Sequence, residues 1–387
     1  MTKKILIVSL LLGLIATSCN RVADNKPANE VAIPQPGTLE NFQSQSAKEV
    51  ENPQQGSPAP KQDSTAPNKT ASVPAHPPCS NGDSQNFECY AQYYKNLVET
   101  QGVPAAFTSL RAEYDLNAYV SAQCHPLAHV IGQAAVEKYP TVAEAYTHGD
   151  SFCWSGYYHG VLEGVVARIG RQKVPGALNT ICDGIVGKAS YSFDYYNCVH
   201  GLGHGVMAFT NDELFDSLKL CDKINGDWEK SSCYSGVFME NVIVDNKNHF
   251  TKYLNPADPL YPCDAVDAKY KSTCYLMQTS YMLKVTTGNF KKVFELCSGV
   301  EDAYRSTCYQ SLGRDASGRS SSNVTTTKNT CELGKNFEQQ SNCVIGAVKD
   351  FISYFHSDTQ AKQLCNALAA DLQTLCLTTT DSYYKSF

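Results

Sequence analysis

The segment ELCSGVEDAYRSTCY, residues 295–309, carries two cysteines, Cys297 and Cys308, on either side of a short turn. Within it, apolar and aromatic residues recur three and four positions apart, which is the spacing of helices that bury one face. A disulfide between the two cysteines would staple two antiparallel helices together. The segment therefore predicts a helical hairpin.

The same spacing recurs along the chain. Ten or eleven residues separate the members of five cysteine pairs: Cys221 and Cys233, Cys263 and Cys274, Cys297 and Cys308, Cys331 and Cys343, and Cys365 and Cys376. The last four pairs begin at positions 263, 297, 331 and 365, a period of 34 residues. Such a period is typical of stacked supersecondary units that cannot bury an apolar face alone. We therefore expect an all-α fold, an α-solenoid-like array of disulfide-stapled helical hairpins.

The remaining cysteines extend this pattern. Cys182 and Cys198 form the same unit with a longer insert, and elimination pairs Cys79 with Cys89 and Cys124 with Cys153, although spacing alone does not fix connectivity. The chain has 17 cysteines and no close Cys-x2-Cys pair, which favours disulfides in an oxidising compartment. Zinc binding by these cysteines is the alternative.

The repeats resemble known solenoid proteins. The 34-residue period matches the length of tetratricopeptide units, and disulfide-stapled helix pairs resemble secreted Sel1-like cysteine-rich repeats. The cysteine spacing inside the units differs, and the tetratricopeptide Trp, Gly and Pro signature is absent. The resemblance therefore implies the hairpin architecture and no activity.

Residues 1–19, MTKKILIVSLLLGLIATSC, join two lysines to a short apolar run, as in a secretion signal. The ending from Ala16 to Cys19 resembles the lipobox of bacterial lipoproteins. That resemblance implies a signal peptide over 1–18 and acylation of Cys19, with a lipid bilayer as partner. The protein would then be a membrane-anchored lipoprotein in the periplasm or at the cell surface. An ordinary secreted protein is the alternative. No later stretch is apolar for long enough to cross a membrane.

Residues 19–78 have the composition of a disordered linker, since they contain ten of the 17 prolines. The expected domain is 79–387, with histidine-bearing repeats over 116–245 and plain repeats over 246–387. A formal charge of -6 makes nucleic acid an unsuitable partner. The sequence patterns of covalent haem attachment, zinc proteases, serine hydrolases and phosphate-binding loops are absent, which excludes several well-marked enzyme classes.

Five of the nine histidines lie in three short windows that each begin at a cysteine. Polar residues recur four positions apart in these windows, in the pairs His125 and His129, His159 and Glu163, and His200 and His204. Four residues are just over one helical turn, so each pair projects from one helix face. A fourth window, from Cys233, has Met239 and Glu240 where the others have histidine. Each window is expected to open the second helix of a hairpin.

If those helices stack side by side, the three pairs form a metal site between helices. The predicted ligands are His125, His129, His159, Glu163, His200 and His204, with Glu240 as a further candidate. This nitrogen-rich set suits copper, iron or zinc. A bound metal would activate water for hydrolysis or carry redox chemistry, so we favour a metal-dependent enzyme, an oxidoreductase or a hydrolase.

Several neighbouring residues are expected to support the site. Gly160 and Gly205 predict close approach of a partner helix or a ligand, because glycine within a helix costs about 1 kcal/mol relative to alanine. Tyr158 and Asn241 are expected to support the ligands, and His148 is either an extra ligand or a helix end.

The alternative is a non-catalytic repeat scaffold that binds a peptide, a glycan or an envelope protein, with the histidines as hydrogen-bonded polar lining. The later repeats keep the cysteines and lose the histidine pairs, since His249 and His356 lie outside this frame. Packing needs would be shared by every unit, so this confinement favours a site. The oligomeric state stays open.

Overall fold

The computed structural model describes residues 79, 86–150, 152–153, 155–170, 172–243, 251–320 and 322–386. The predicted signal peptide, Cys19 and the linker up to residue 78 lie outside these residues. The described part contains 17 α-helices and no β-strand. The all-α prediction is confirmed.

The helices follow one another with short connections. They are α1 (Phe87–Gln101), α2 (Val103–Leu116), α3 (Ala118–Ala122), α4 (Cys124–Lys138), α5 (Val142–Thr147), α6 (Gly156–Ile169), α7 (Val174–Ala177), α8 (Phe193–Thr210), α9 (Leu214–Cys221), α10 (Asp227–Val242), α11 (Ala268–Val285), α12 (Phe290–Ser298), α13 (Asp302–Arg319), α14 (Val324–Cys331), α15 (Phe337–Phe355), α16 (Thr359–Asn366) and α17 (Ala370–Ser386).

The longer helices form one continuous row. Each packs on the next in the order α1, α4, α6, α8, α10, α11, α13, α15 and α17. Shorter helices lie beside this row, as α12 does against α11 and α13, and α14 does against α13 and α15. Side-by-side packing of one long helix per unit is the arrangement of a solenoid.

Eight disulfides join the cysteines in the pairs expected from spacing and, for Cys79–Cys89 and Cys124–Cys153, from elimination. The prediction that each pair staples two helices is wrong for four of them, because Cys79, Cys153, Cys182 and Cys263 lie outside the α-helices. Before Cys263, Pro256, Pro259 and Pro262 remove backbone donors that a helix would need. The pairs at Cys221, Cys297, Cys331 and Cys365 do join a short helix to a long one.

The prediction that each window opens a helix holds only for α4, which begins at Cys124. Helix α8 begins at Phe193, five residues before Cys198, because the side chain of Ser192 accepts a hydrogen bond from the Tyr195 amide and caps the first turn. Helix α6, in contrast, begins at Gly156, three residues after Cys153, so its window starts before the helix does. The windows nevertheless all lie on neighbouring helices of the row.

The end of α15 lies against the start of α8. The ring of His356, which caps the end of α15, lies 5.1 Å from that of Phe193 at the start of α8. In the part of the chain that the structure describes, no helix combines the length and apolarity required to cross a bilayer.

Candidate metal centre

Helices α4, α6, α8 and α10 pack in sequence and bring the four windows together. Glycines set two of these crossings. A side chain at Gly160 would clash with the carbonyl oxygen of His129, and one at Gly236 would clash with that of His200. The absence of side chains lets the paired backbones approach closely enough for short imidazole side chains to reach across.

The five imidazoles of the windows converge in one buried cluster. The ring of His159 stands at its middle, with its centroid 5.2 Å from His125, 5.4 Å from His129, 4.9 Å from His200 and 4.1 Å from His204. The ring of His204 also lies 5.6 Å from that of His129, which links the two outer pairs. All five side chains are buried, and His204 is fully so, with 0% of its surface exposed.

On α4, both histidines turn Nδ1 outward to an acceptor. Nδ1 of His125 lies 2.7 Å from the carbonyl oxygen of Cys153. Nδ1 of His129 lies 2.8 Å from Oε1 of Glu163, whose other oxygen accepts a 2.7 Å hydrogen bond from Gln133. Since a carbonyl and a carboxylate oxygen only accept, each Nδ1 carries the proton and donates it.

On α8, the pattern repeats. Nδ1 of His204 contacts Oε2 of Glu240, and Nδ1 of His200 lies 2.7 Å from the hydroxyl of Ser235. That hydroxyl donates its own proton to the carbonyl oxygen of Ser232 at 2.7 Å, so it accepts from His200. These two histidines are therefore also protonated at Nδ1.

The opposite ring nitrogens face each other. Nε2 of His125 and Nε2 of His129 are 3.0 Å apart, and Nε2 of His200 and Nε2 of His204 are 3.2 Å apart. In the neutral form of these four rings, each Nε2 carries a lone pair and no proton. Two lone pairs at this distance repel unless a cation or a proton lies between them.

His159 differs from the other four imidazoles. Its side chain is 2% exposed, and its Nδ1 is buried without a hydrogen-bond partner. Buried polar atoms are normally paired, so an unpaired one on a ring surrounded by four other imidazoles requires an explanation. A metal ion, which binds imidazole nitrogen directly, supplies one.

Burial keeps most of the cluster neutral. Burial, reinforced by the neighbouring His129, lowers the pKa of His125 to about 3, and burial together with adjacent imidazoles lowers the pKa of His159 and of His200. At His129, burial works in the opposite direction but is outweighed by the charge and hydrogen bond of Glu163, and the pKa is raised. Neutral imidazole is the form that binds metals.

Three groups of side chains have ligand atoms within 4.8 Å of one another and could hold a metal ion. They are His125, His129 and His159; His159, His200 and His204; and His129, Glu163 and His204. His159 belongs to two of them. The first two groups are triads of nitrogen ligands, which is the donor set of many transition-metal sites.

The structure gives the two predicted carboxylate ligands a different position from the histidines. Glu163 and Glu240 contact the Nδ1 atoms of His129 and His204, on the side of each ring away from the facing Nε2 atoms. A carboxylate there fixes the tautomer and orientation of its imidazole and raises its basicity.

Other residues with predicted supporting roles lie elsewhere. The Tyr158 ring packs on that of Tyr146 at 4.8 Å, because the residue before His159 on the helix points about 100° away from it. The Asn241 amide bonds to the Tyr253 carbonyl. His148 caps the end of α5 and stacks on Tyr139, so it is a helix end. Gly205 packs against Val166.

Sequence reasoning missed several contributors. The carbonyl of Cys153, the hydroxyl of Ser235 and the amide of Gln133 each bond to the cluster or its carboxylates. Nothing in the residue types marks these roles, since they depend on the helix crossings. The sulfur of Met239 lies 3.2 Å from Nε2 of His200. The sequence does indicate this contact, because Met239 lies in the fourth window where the other windows have histidine.

Comparison of the chain with protein-family models, with curated proteins and with solved structures gives no match.

Proposed function

We propose that this protein is an extracytoplasmic transition-metal protein, held at a membrane through an acylated Cys19, whose five-histidine cluster binds one or two ions. The observation that supports the proposal is the pair of facing Nε2 contacts, at 3.0 Å and 3.2 Å, between histidines whose Nδ1 atoms already donate to acceptors. A metal ion in each place turns two repelling lone pairs into two ligand bonds.

The separations suit such ions. Two nitrogens that are each about 2.0–2.1 Å from one ion, at an angle between 90° and tetrahedral, lie roughly 2.9–3.4 Å apart. The four Nδ1 contacts are the outer partners that metal-bound histidines almost always have. His159 then completes a triad with either pair, and its Nδ1 has no hydrogen-bond partner that a metal bond would have to replace.

Copper, iron and zinc fit this donor set. With three protein ligands for an ion, a position remains for an exogenous ligand, as in catalytic metal sites. Closely spaced sites in a buried, water-poor cluster suit electron transfer or oxygen chemistry, so we propose a metal-dependent oxidoreductase. Hydrolysis by a metal-bound water is the second reaction class that the ligands support.

A metal-free cluster would satisfy the same contacts with protons. His129 would then be an imidazolium that donates Nε2–H to His125 and pairs with Glu163, and His204 would do the same toward His200 and Glu240. Such a cluster is the polar lining expected of a non-catalytic scaffold. Metal content separates these two states of the cluster.

The test is elemental analysis of the purified full chain with its disulfides formed, in the native protein and in a His159→Ala/His204→Ala variant. We expect one or two equivalents of copper, iron or zinc in the native protein and less than a tenth of that in the variant. His148→Ala, outside the cluster, is the matched control and retains its metal. Substoichiometric metal in the native protein after loading with each ion would overturn the proposal, and circular dichroism verifies that the variant is folded.

A further inference from the structure

The fourth window places a thioether at the edge of the cluster. Met239 lies on α10, and its Sδ is 3.2 Å from Nε2 of His200. We infer that Met239 is a ligand of the ion bound by His200 and His204, and that this subsite takes copper(I). The inference rests on the proposed function and adds a ligand and a metal identity to it.

The contact between Met239 and His200 brings two lone-pair acceptors together, as do the contacts within the histidine pairs. Because Nδ1 of His200 donates to Ser235, its Nε2 carries a lone pair. A thioether sulfur accepts and has no proton to donate. Two acceptors therefore meet at 3.2 Å, and an ion between them would bind both. Donors about 2.0 Å and 2.3 Å from one ion, near 90–110°, lie roughly 3.0–3.5 Å apart.

The position of Met239 in its window supports a role in the site. His159, His204 and Met239 each stand six residues after the cysteine of their window, which are Cys153, Cys198 and Cys233. The ring of His159 stacks on that of His204 at 4.1 Å, and Met239 contacts His200, which pairs with His204. Met239 therefore occupies the position at which the two neighbouring windows have a proposed histidine ligand.

The chemistry of sulfur selects the metal. Thioether is a soft donor that favours copper(I) over zinc and other harder ions. The sixteen cysteines from Cys79 to Cys376 are paired in eight disulfides, so they offer no thiolate. Met239 is the sulfur that the fold brings to a histidine ligand atom.

Charge balance supports a monovalent ion. Glu163 and Glu240 contribute two negative charges at the outer edges of the cluster, through their contacts with His129 and His204. Two copper(I) ions would leave the cluster neutral, whereas two divalent ions would leave two positive charges in a buried place. Uncompensated buried charge is costly.

The test compares Met239→Leu with the native full chain. Leucine keeps the volume and apolar character of methionine and removes the sulfur. Copper(I) is supplied without oxygen as its bicinchoninate complex, and affinity is read from competition with that chelator. Zinc(II) affinity is measured in parallel, and copper X-ray absorption reports the sulfur ligand. Met282→Leu, buried in α11, is the matched control.

We expect Met239→Leu to weaken copper(I) binding roughly tenfold or more, to change zinc affinity less than about threefold, and to remove a copper–sulfur shell seen in the native protein and in Met282→Leu. This inference alone would be overturned if the native protein binds metal without a copper–sulfur shell and Met239→Leu binds copper(I) with unchanged affinity. The Met239 side chain would then simply pack on the imidazole of His200. A native protein that binds neither ion would overturn the proposed function as well.

Discussion

At the scale of single residues, the centre depends on which nitrogen of each imidazole carries the proton. Four histidines donate Nδ1–H to a carbonyl, a hydroxyl or a carboxylate, and this leaves four Nε2 lone pairs that face inward. The outward partners are thus as much a part of the site as the rings. Residues that never contact the metal can be tested for this role.

Glu240→Gln is the most direct such variant. It removes the charge that holds the proton on Nδ1 of His204, and a glutamine amide can instead donate to Nδ1 and leave the proton on Nε2, where it blocks the ion. We expect metal affinity to fall about 10- to 100-fold with the fold preserved, as is usual for lost outer partners. Competition titration measures it.

Glu332→Gln is the control for that change. Glu332 is a carboxylate of the plain repeats that pairs with Lys328 on the surface. Its replacement should leave metal affinity unchanged. Equal affinity of Glu240→Gln and native protein would show that the carboxylate does not orient the ligand.

At the scale of helices, reciprocal glycines fix the distances between neighbours. Gly132 and Gly160 mark the crossing of α4 and α6, and Gly313 and Gly346 mark that of α13 and α15. The close approach expected at Gly160 is to a partner helix. The same arrangement in the plain repeats shows that the glycines serve packing generally, while the histidine pairs are specific to the front half.

Gly160→Ala should separate α4 from α6, because the new methyl group meets the His129 backbone. We expect a loss of about 1–3 kcal/mol in the free energy of unfolding together with weaker metal binding. Urea unfolding and a metal titration measure the two effects.

Two alanine variants calibrate that result. Gly313→Ala meets the Cys343 carbonyl, so it should destabilise the protein to a similar degree and leave metal affinity unchanged. Gly176→Ala, which has nothing within 4 Å, should change stability by less than about 1 kcal/mol. Weaker metal binding in Gly313→Ala would mean that Gly160→Ala acts through global stability alone.

The staples can be tested in the same way. Replacing both Cys331 and Cys343 by serine frees the loop that joins α14 to α15. The chain-entropy model gives a loss of about 3 kcal/mol for a loop of this size. Metal content should stay the same, since the centre lies on α4, α6, α8 and α10. Loss of metal from this variant would contradict the expectation that the histidine site is independent of the plain repeats.

The sequence predicted the helices, the cysteine pairs and the convergence of His125, His129, His159, His200 and His204, because periodic cysteines and four-residue spacing are local signals. The predicted starts of α6, α8 and α10 were wrong, and which ring atoms face inward was not predicted. The start of α8 depends on the Ser192 cap. The outward contact of Glu163 depends on the α4–α6 crossing, and such tertiary geometry is not encoded in spacing.

At the scale of the whole molecule, a predicted leader and a predicted linker precede the solenoid. The eight disulfides suit an oxidising, extracytoplasmic environment. The anchor at Cys19 is a separate proposal that rests on the lipobox-like ending. It predicts that the protein is held to a membrane by acyl chains.

Cys19→Ser tests that anchor. In a bacterial host, the native chain should sediment with membranes and take up labelled fatty acid, while the variant should lose the label and partition into the aqueous fraction of a detergent extraction. Partitioning that is the same for both chains would contradict acylation at Cys19 and favour an ordinary secreted protein.

We propose that metal ions lie between the facing Nε2 atoms. Diffraction from crystals of the full chain, recorded above and below the absorption edge of the metal found by elemental analysis, tests it by locating each ion directly. We predict anomalous peaks about 2.0–2.3 Å from the Nε2 atoms of His125 and His129 and of His200 and His204. Crystals of metal-loaded protein without a peak in the cluster would contradict the account.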